Sequence, residues 1–316
     1  MKREDTEEIL FAKEEEEHKE PKECGKPLRP NSVDSLRLVG AARYEFGFIV
    51  SHGMIGVVYV ARDKKLLLKP PVCVKQMSLA KIKEKNLMDS IANELNVLGQ
   101  VRHTKGCVVL LDLYSTPSSL AFVFPYYSRG DLFKCMRDFP GRRVPEPVAQ
   151  KVFKQLVSTL SKLHKKGVMH RDVKPENILV DTDFEVVLTD FGFATTQAQL
   201  ESAGFPRVGT LDFYPFEMLT PLPGSNCIRY DHRVDVWSLG VLLFEMLYGV
   251  TPFHHKDEAQ IKFKIRCLDF AFPDEDHPEA MDLLSRVFVR PEARISLAQV
   301  KKHAFYRKKT PAVKAE

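Results

Sequence analysis

The stretch HRDVKPENILV, His170–Val180, followed by VLTDFGFA, Val187–Ala194, decides how this chain is read. It sets ionisable and amide side chains between two apolar, strand-like runs, where a packed core gains nothing from them and desolvation costs free energy. Asp172 and Asn177 stand five residues apart. Asp190 follows a polar turn, Asp181–Asp183, that would join two antiparallel strands. One hairpin could therefore present three metal- or hydroxyl-directed groups together.

Residue by residue, this pattern resembles the eukaryotic protein kinases, whose H-R-D-x-K-x-x-N and D-F-G motifs carry phosphoryl transfer. Lys174 points to the serine/threonine branch. The remaining landmarks follow in order, and the resemblance covers roughly Tyr44 to Tyr306. It implies an α+β, bilobal fold: a small β-rich lobe with one main helix (44–124), then a hinge and a larger, mainly helical lobe (125–306). Residues 1–43 form a charged tail and 307–316 a basic one.

Composition agrees with a globular protein of two cores. The 316 residues are 44% hydrophobic and 28% charged, with a net charge of +5. Six scattered cysteines show no CxxC pair or metal-ligand spacing, which favours reduced thiols in an intracellular protein, in cytoplasm or nucleus. The first residues, MKREDTEEIL, are charged and do not read as a signal peptide. Val236–Val250, the most apolar run, is interrupted by Glu245 and too short to span a bilayer, so no membrane is expected. Nor do aromatic and basic residues interleave as they would on a nucleic-acid-binding surface. The tail, with FAKEEEEHKE and PKECGKPLRP, holds few large apolar residues before Leu36 and reads as disordered or as a docking arm.

In YEFGFIVSHGMIGVVYVARD, two β-rich runs flank a loop whose Ser51, Gly53, Gly56 and Val58 match the phosphate-covering loop G-x-G-x-x-G-x-V. A side chain at Gly53 would hinder approach of the backbone to a phosphate. Strands on both sides argue against a dinucleotide site, which needs a helix after the loop. Lys75, at the end of the apolar run Val72–Val74, matches the lysine that contacts the α and β phosphates of ATP, and Glu94 is its candidate partner. Ile91, Leu95, Leu98 and Val101 fall on one helical face, with Glu94 beside it. Cys73 stands where relatives carry a small alanine over the adenine; it reads as a packing residue or, facing the nucleotide, as a handle for an alkylating analogue. LAFVFPYYSRGDL resembles the last strand of the small lobe and the hinge: Phe124 guards the back pocket, and Pro125–Tyr127 meet the adenine. Pro125 lacks an N–H, but the first hinge residue offers only its carbonyl, and the donor comes from Tyr127. Asp131 is read as a ribose ligand or a helix N-cap, and Leu179 as part of the nucleotide site.

A helix is predicted over Pro145–Lys166, with Val148, Val152, Leu156, Leu160 and Leu163 on one face and Gly167 as its stop. In the loop beyond it, the resemblance implies that Asp172 orients the substrate hydroxyl, Lys174 neutralises the transferred phosphoryl group, and Asn177 and Asp190 hold Mg²⁺. GTLDFYPFEML resembles the end of an activation segment: Thr210 contacts Asp172, and Glu217 pairs with Arg294. Arg171 would grip an activating phosphothreonine, yet Pro206 stands at the usual position. Activity is therefore expected without phosphate there, with Thr195, Thr196 or Ser202 as substitute acceptors. DVWSLGVLLFEMLYG is apolar nearly all round, as a central helix should be; Asp235 either caps it or holds the catalytic-loop backbone. Glu176 and Glu245 match positions that bind a substrate arginine, which implies Ser/Thr protein substrates with Arg-containing motifs. TLDFYPFEML and FAFPDEDHPEA look similar to the Aurora-like and calcium/calmodulin-dependent groups. A pseudokinase scaffold and a small-molecule phosphotransferase are the competing readings; the peptide-binding shelf implied by GT(x)nE speaks against the second. Oligomeric state is not legible.

Overall fold

The computed structural model describes residues 43–65, 70–221 and 228–309. The expected tails, Cys24, and most of the irregular loop containing Cys227 lie outside the described residues, apart from 43 and 307–309.

The fold is the bilobal one expected. The small lobe is an antiparallel sheet of β1 (Tyr44–His52), β2 (Gly56–Asp63), β3 (Val72–Ser78), β4 (Asp112–Ser115) and β5 (Ser119–Pro125), ordered β1-β2-β3-β5-β4. β-Branched and aromatic residues at alternating positions suit this pleated surface. On one face Tyr44 stacks on Tyr114 at 5.6 Å and packs with Val72, Val74 and Val123. Between β3 and β4 run α1 (Leu79–Glu84), capped by the Ser78 side chain, and α2 (Met88–Val101).

The inward face of α2 is rotated from the predicted one. Val97 is fully buried, Leu95 only half so, and Glu94 is itself 5% exposed. An acidic residue is thus drawn into the interior, which is tolerable only with a partner.

The large lobe begins with α3 (Leu132–Met136) and α4 (Glu146–Lys165), the latter one residue shorter at each end than predicted. All five residues of its predicted apolar face are buried. Short strands follow: β6 (Val168–Met169), β7 (Ile178–Val180), β8 (Val186–Leu188) and β9 (Thr195–Thr196), pairing as β6-β9 and β7-β8. α5 (Gln197–Ala203), α6 (Phe216–Leu219), α7 (Arg233–Tyr248), α8 (Glu258–Cys267), α9 (Pro278–Val287), α10 (Leu297–Val300) and α11 (Ala304–Arg307) complete it.

Every residue of α7 from Val234 to Tyr248 is buried, as its all-round hydrophobicity predicts. The helix ends at Gly249, whose left-handed φ of 76° suits glycine. Trp237 on α7 lies flat against Phe253 at 5.4 Å and meets Phe288 edge-on. One apolar cluster runs from Met77 and Val97 in the small lobe to Phe305. Among the described residues, no helix is long and apolar enough to cross a membrane.

Candidate active site

Between the lobes lies a cleft of about 450 Å³. Its upper wall includes Ser51, Val58, Cys73 and Lys75; its rear edge Phe124, Pro125 and Tyr127; its floor Asp131, Glu176, Asn177, Leu179 and Asp190. Gly53 and Gly56 shape the loop above. The Gly53 N–H donates to the Gly56 carbonyl at 2.8 Å, closing the turn. A Cβ at Gly56 would collide with the β3 backbone at Gln76 and Met77, whereas one at Gly53 would meet only the Gly56 carbonyl oxygen at 3.6 Å. Gly56 is therefore required by strand packing, independently of any ligand.

Lys75, central in β3, reaches across to α2, where its Nζ lies 3.0 and 3.3 Å from the two carboxylate oxygens of Glu94. Burial pulls the ammonium down, but the carboxylates of Glu94 and Asp190 outweigh it and hold Lys75 above the ordinary lysine range. The Glu94 carboxyl is pushed upward by burial and by Asp190, against the pull of Lys75. Burial also raises the Cys73 thiol to about 11, so it is a protonated lining group rather than a thiolate at neutral pH.

The lower half is built by the loop between β6 and β7. Asn177 donates through Nδ2 to the Asp172 backbone carbonyl at 2.8 Å and to its Oδ2 at 2.7 Å. Lys174 Nζ sits 3.0 Å from Asp172 Oδ2 and donates to Thr210 Oγ1 at 2.6 Å. Thr210 in turn donates to Asp172 Oδ1 at 3.2 Å. Asp172 thus has both oxygens engaged and one fixed orientation. Phe191 is buried edge-on against His170, at 5.0 Å between centroids, which leaves the preceding Asp190 on the cleft side.

Two non-glycine residues here, Arg171 and Asp190, adopt left-handed φ values of 66° and 59°. Such conformations cost about 1–3 kcal/mol each and persist only where surroundings impose them. Asp235 supplies part of that constraint. Fully buried, it accepts the N–H groups of His170 (3.0 Å) and Arg171 (2.8 Å) and lies 2.7 Å from His164 Nε2. Burial opposes its ionisation, yet His164, His170 and these hydrogen bonds hold it below the usual carboxylate range. It stands inside the first turn of α7, not at its N-cap, which is His232.

Glu217 and Arg294 form a two-point ion pair of 2.6 and 2.8 Å, with the Arg294 side chain wholly inaccessible and its guanidinium 4.8 Å from the Trp237 ring. Asp131 caps α3 by accepting from the Lys134 N–H at 2.8 Å, and it also lines the cleft. Thr195 is buried and Thr196 caps α5 in a capping box with Gln199, leaving Ser202 as the exposed one of the three hydroxyls.

Glu245, one of the two residues matched to a substrate-arginine contact, is engaged within the chain itself. It is 6% exposed and already paired with Arg142 of the same chain, at 2.5 Å. Burial, offset only partly by Arg142 and reinforced by Glu176 and Asp212, pushes its carboxyl up to about 7. Glu176 remains exposed. Arg142 was missed because its contact spans 103 positions; the basic pair Arg142–Arg143 was its one signal. Also missed was Asn93, which donates to the Ala194 carbonyl at 2.7 Å and accepts from Gln199 at 3.1 Å, joining α2 to the start of the activation segment.

Comparison with known proteins agrees with this arrangement. The protein kinase domain family matches residues 44–306. An Aurora kinase of Schizosaccharomyces pombe is 33% identical over 262 residues, 82% of this chain and 70% of that protein. Mouse Aurora kinase C is 30% identical over 84% of this chain and 91% of its own length. CBL-interacting serine/threonine-protein kinase 12 of Arabidopsis thaliana is 31% identical over 91% of this chain, which spans about half (56%) of that relative. With the two-lobed fold, the Lys75–Glu94 pair and the Asp172–Lys174–Thr210 cluster already in place, the chain belongs to the eukaryotic protein kinase superfamily, in its serine/threonine branch.

Proposed function

We propose that this protein transfers the γ-phosphate of ATP to serine and threonine hydroxyls of protein substrates. The observation that carries the reading is the convergence on one cleft of an ammonium (Lys75), a carboxylate (Asp190) and an amide (Asn177), with that amide bonded to an oriented carboxylate that has its own lysine (Asp172, Lys174). Phosphoryl transfer asks little covalent chemistry of a protein; positioning and charge neutralisation carry it. In this reading the adenine lies between Val58 and Cys73 above and Leu179 below, against Phe124, Pro125 and Tyr127. Ser51, Gly53 and Gly56 cover the phosphates, Lys75 holds the α and β groups, and Glu94 holds Lys75. Asp131 reaches the ribose.

Asn177 and Asp190 offer the oxygen donors that suit Mg²⁺ and lie on the same floor as the phosphate path. Bound there, the ion would neutralise phosphate charge during transfer. Asp172 accepts or orients the proton of the attacking hydroxyl, Thr210 fixes its rotamer, and Lys174 offsets charge on the moving phosphoryl group. Arg171, Asp235, Glu217 and Arg294 maintain the loop and shelf on which these groups stand.

Preference for Arg-containing sequences belongs to the same reading, through Glu176 and Glu245. Since Arg142 already engages Glu245, a substrate guanidinium would have to share or displace it, with Glu176 as the exposed first contact. Incubating the protein with labelled ATP, Mg²⁺ and a mixed peptide library tests the proposal. Transfer by the parent and a loss of about 10³-fold in Asp172→Asn are expected; equal label in both would overturn it. Replacing arginine in the best peptide without loss would remove the basic preference alone.

A further inference from the structure

We propose that Tyr230 is a positioning residue that does here what a phosphate on the activation segment would otherwise do: it joins Arg171 to that segment through its hydroxyl. The inference rests on the kinase reading above. Arg171 precedes the central aspartate, and its guanidinium donates to two partners. Nε donates to the Phe193 carbonyl at 2.7 Å, near the start of the segment. One terminal nitrogen donates to the Tyr230 hydroxyl at 2.7 Å. That hydroxyl donates onward to the Pro206 carbonyl, again at 2.7 Å. A phenol can accept from the guanidinium and donate to a carbonyl at once, so one oxygen serves both partners.

The relay reaches the place where it can matter. Pro206 lies four residues before Thr210, the hydroxyl bonded to Asp172 and Lys174. Between them, Gly209 crosses Arg171 so closely that a Cβ would stand 2.7 Å from the Arg171 carbonyl oxygen, and its φ of 106° excludes ordinary side chains. Small displacement of this stretch would therefore move Thr210 off Asp172. The Tyr230 ring is fixed by packing: it is 6% exposed, edge-on to Phe205 at 5.3 Å, and clustered with Met169, Met218 and Val234. A proline accepts no phosphate, so no phosphate at position 206 can join this stretch to Arg171, and the buried Tyr230 phenol makes that connection instead. The consequence is a shelf held in its working position without modification.

A double-mutant cycle tests this. Tyr230→Phe removes one oxygen and keeps the ring. It should lower kcat for peptide phosphorylation about tenfold, the scale of one charge-assisted hydrogen bond, with KM for ATP unchanged. In an Arg171→Ala background the same change should cost less than about twofold, because its partner is gone. Phosphatase treatment should leave the parent's rate intact. Equal losses in both backgrounds, a Tyr230→Phe rate within about twofold of the parent, or inactivation by phosphatase would each overturn the inference. If the parent transfers no phosphate, the kinase reading fails instead, and amide hydrogen exchange across residues 205–210 decides this one: faster exchange in Tyr230→Phe supports the relay, identical exchange sinks it.

Discussion

Lys75–Glu94 and Glu217–Arg294 are both basic-to-glutamate pairs, alike in sequence terms and different in physical circumstance. Lys75–Glu94 spans two elements of the small lobe, with 30% of the lysine side chain exposed to the cleft. Glu217–Arg294 is sealed in the large lobe, wholly inaccessible on the arginine side, and Arg294 also donates to the carbonyls of Val287, Arg233 and Val289. Water can replace a partner of the first pair, and a ligand can borrow its charge. Nothing can replace a partner of the second. A cleft ion pair of this kind is chemistry held ready, whereas the sealed one is architecture.

The sharpest way to break that contrast is to remove one acid from the sealed pair. Glu217→Ala should cost about 3–5 kcal/mol of folding free energy, because a buried guanidinium is left uncompensated. For a domain of this size that lowers the melting temperature by about 10 °C, readable by calorimetry. An unchanged transition would erase the distinction. Lys75→Met attacks the other pair and should do the reverse. Phosphate transfer should fall about 10²–10³-fold through lost charge stabilisation, while the melting temperature of the nucleotide-free protein should fall less than in Glu217→Ala, because the buried Glu94 carboxyl, already pushed upward, can take a proton when its partner is gone. Adding ATP and Mg²⁺ should then raise the parent's melting temperature more than the variant's.

Glu245 sharpens the comparison from a third position, since its arginine partner is itself partly exposed. In the unfolded chain this carboxyl ionises near its ordinary value; in the folded protein it keeps its proton to about 7. Between those two pH values the unfolded state is the one that gains by releasing a proton, so the group lowers stability as pH rises from about 4.5 to about 7. The sum is at most about 3 kcal/mol. Glu245→Gln, which keeps a hydrogen-bond acceptor for Arg142, should flatten that part of the stability–pH curve in a series of thermal melts. A parent curve that rises across the same interval would count against it.

Most of the fold was legible in the sequence, for reasons that can be named. α4 and α7 declared themselves because burial on one face or on all faces leaves a periodic trace, and β7–β8 because a polar turn divided two apolar runs. The site was legible because its residues cluster in short motifs: Asp172, Lys174 and Asn177 lie within six positions. The contacts missed were of another kind. Arg142 meets Glu245 across 103 positions, Tyr230 meets Arg171 across 59, and Asn93 meets Gln199 across 106. No periodicity or spacing carries such information, since each depends on how two distant loops happen to approach. α5 is the exception: Thr196 and Gln199 spell a capping box that was present to be read. Gly56 matched a motif position in the sequence, but its packing reason, the β3 backbone that leaves no room for a Cβ, was not legible there.

Asn93 ties the small lobe to the activation segment. It adjoins Glu94 on α2 and holds the Ala194 carbonyl together with Gln199, so the turn that steadies the cleft lysine also carries the start of the segment leading to Thr210. Linkage makes such a connection symmetrical: by whatever factor an occupied nucleotide cleft tightens the grip on a polypeptide, an engaged polypeptide must tighten the grip on nucleotide. Asn93 is one physical connection along that line, joining the helix that holds Lys75 to the segment that leads to Thr210 through two hydrogen bonds.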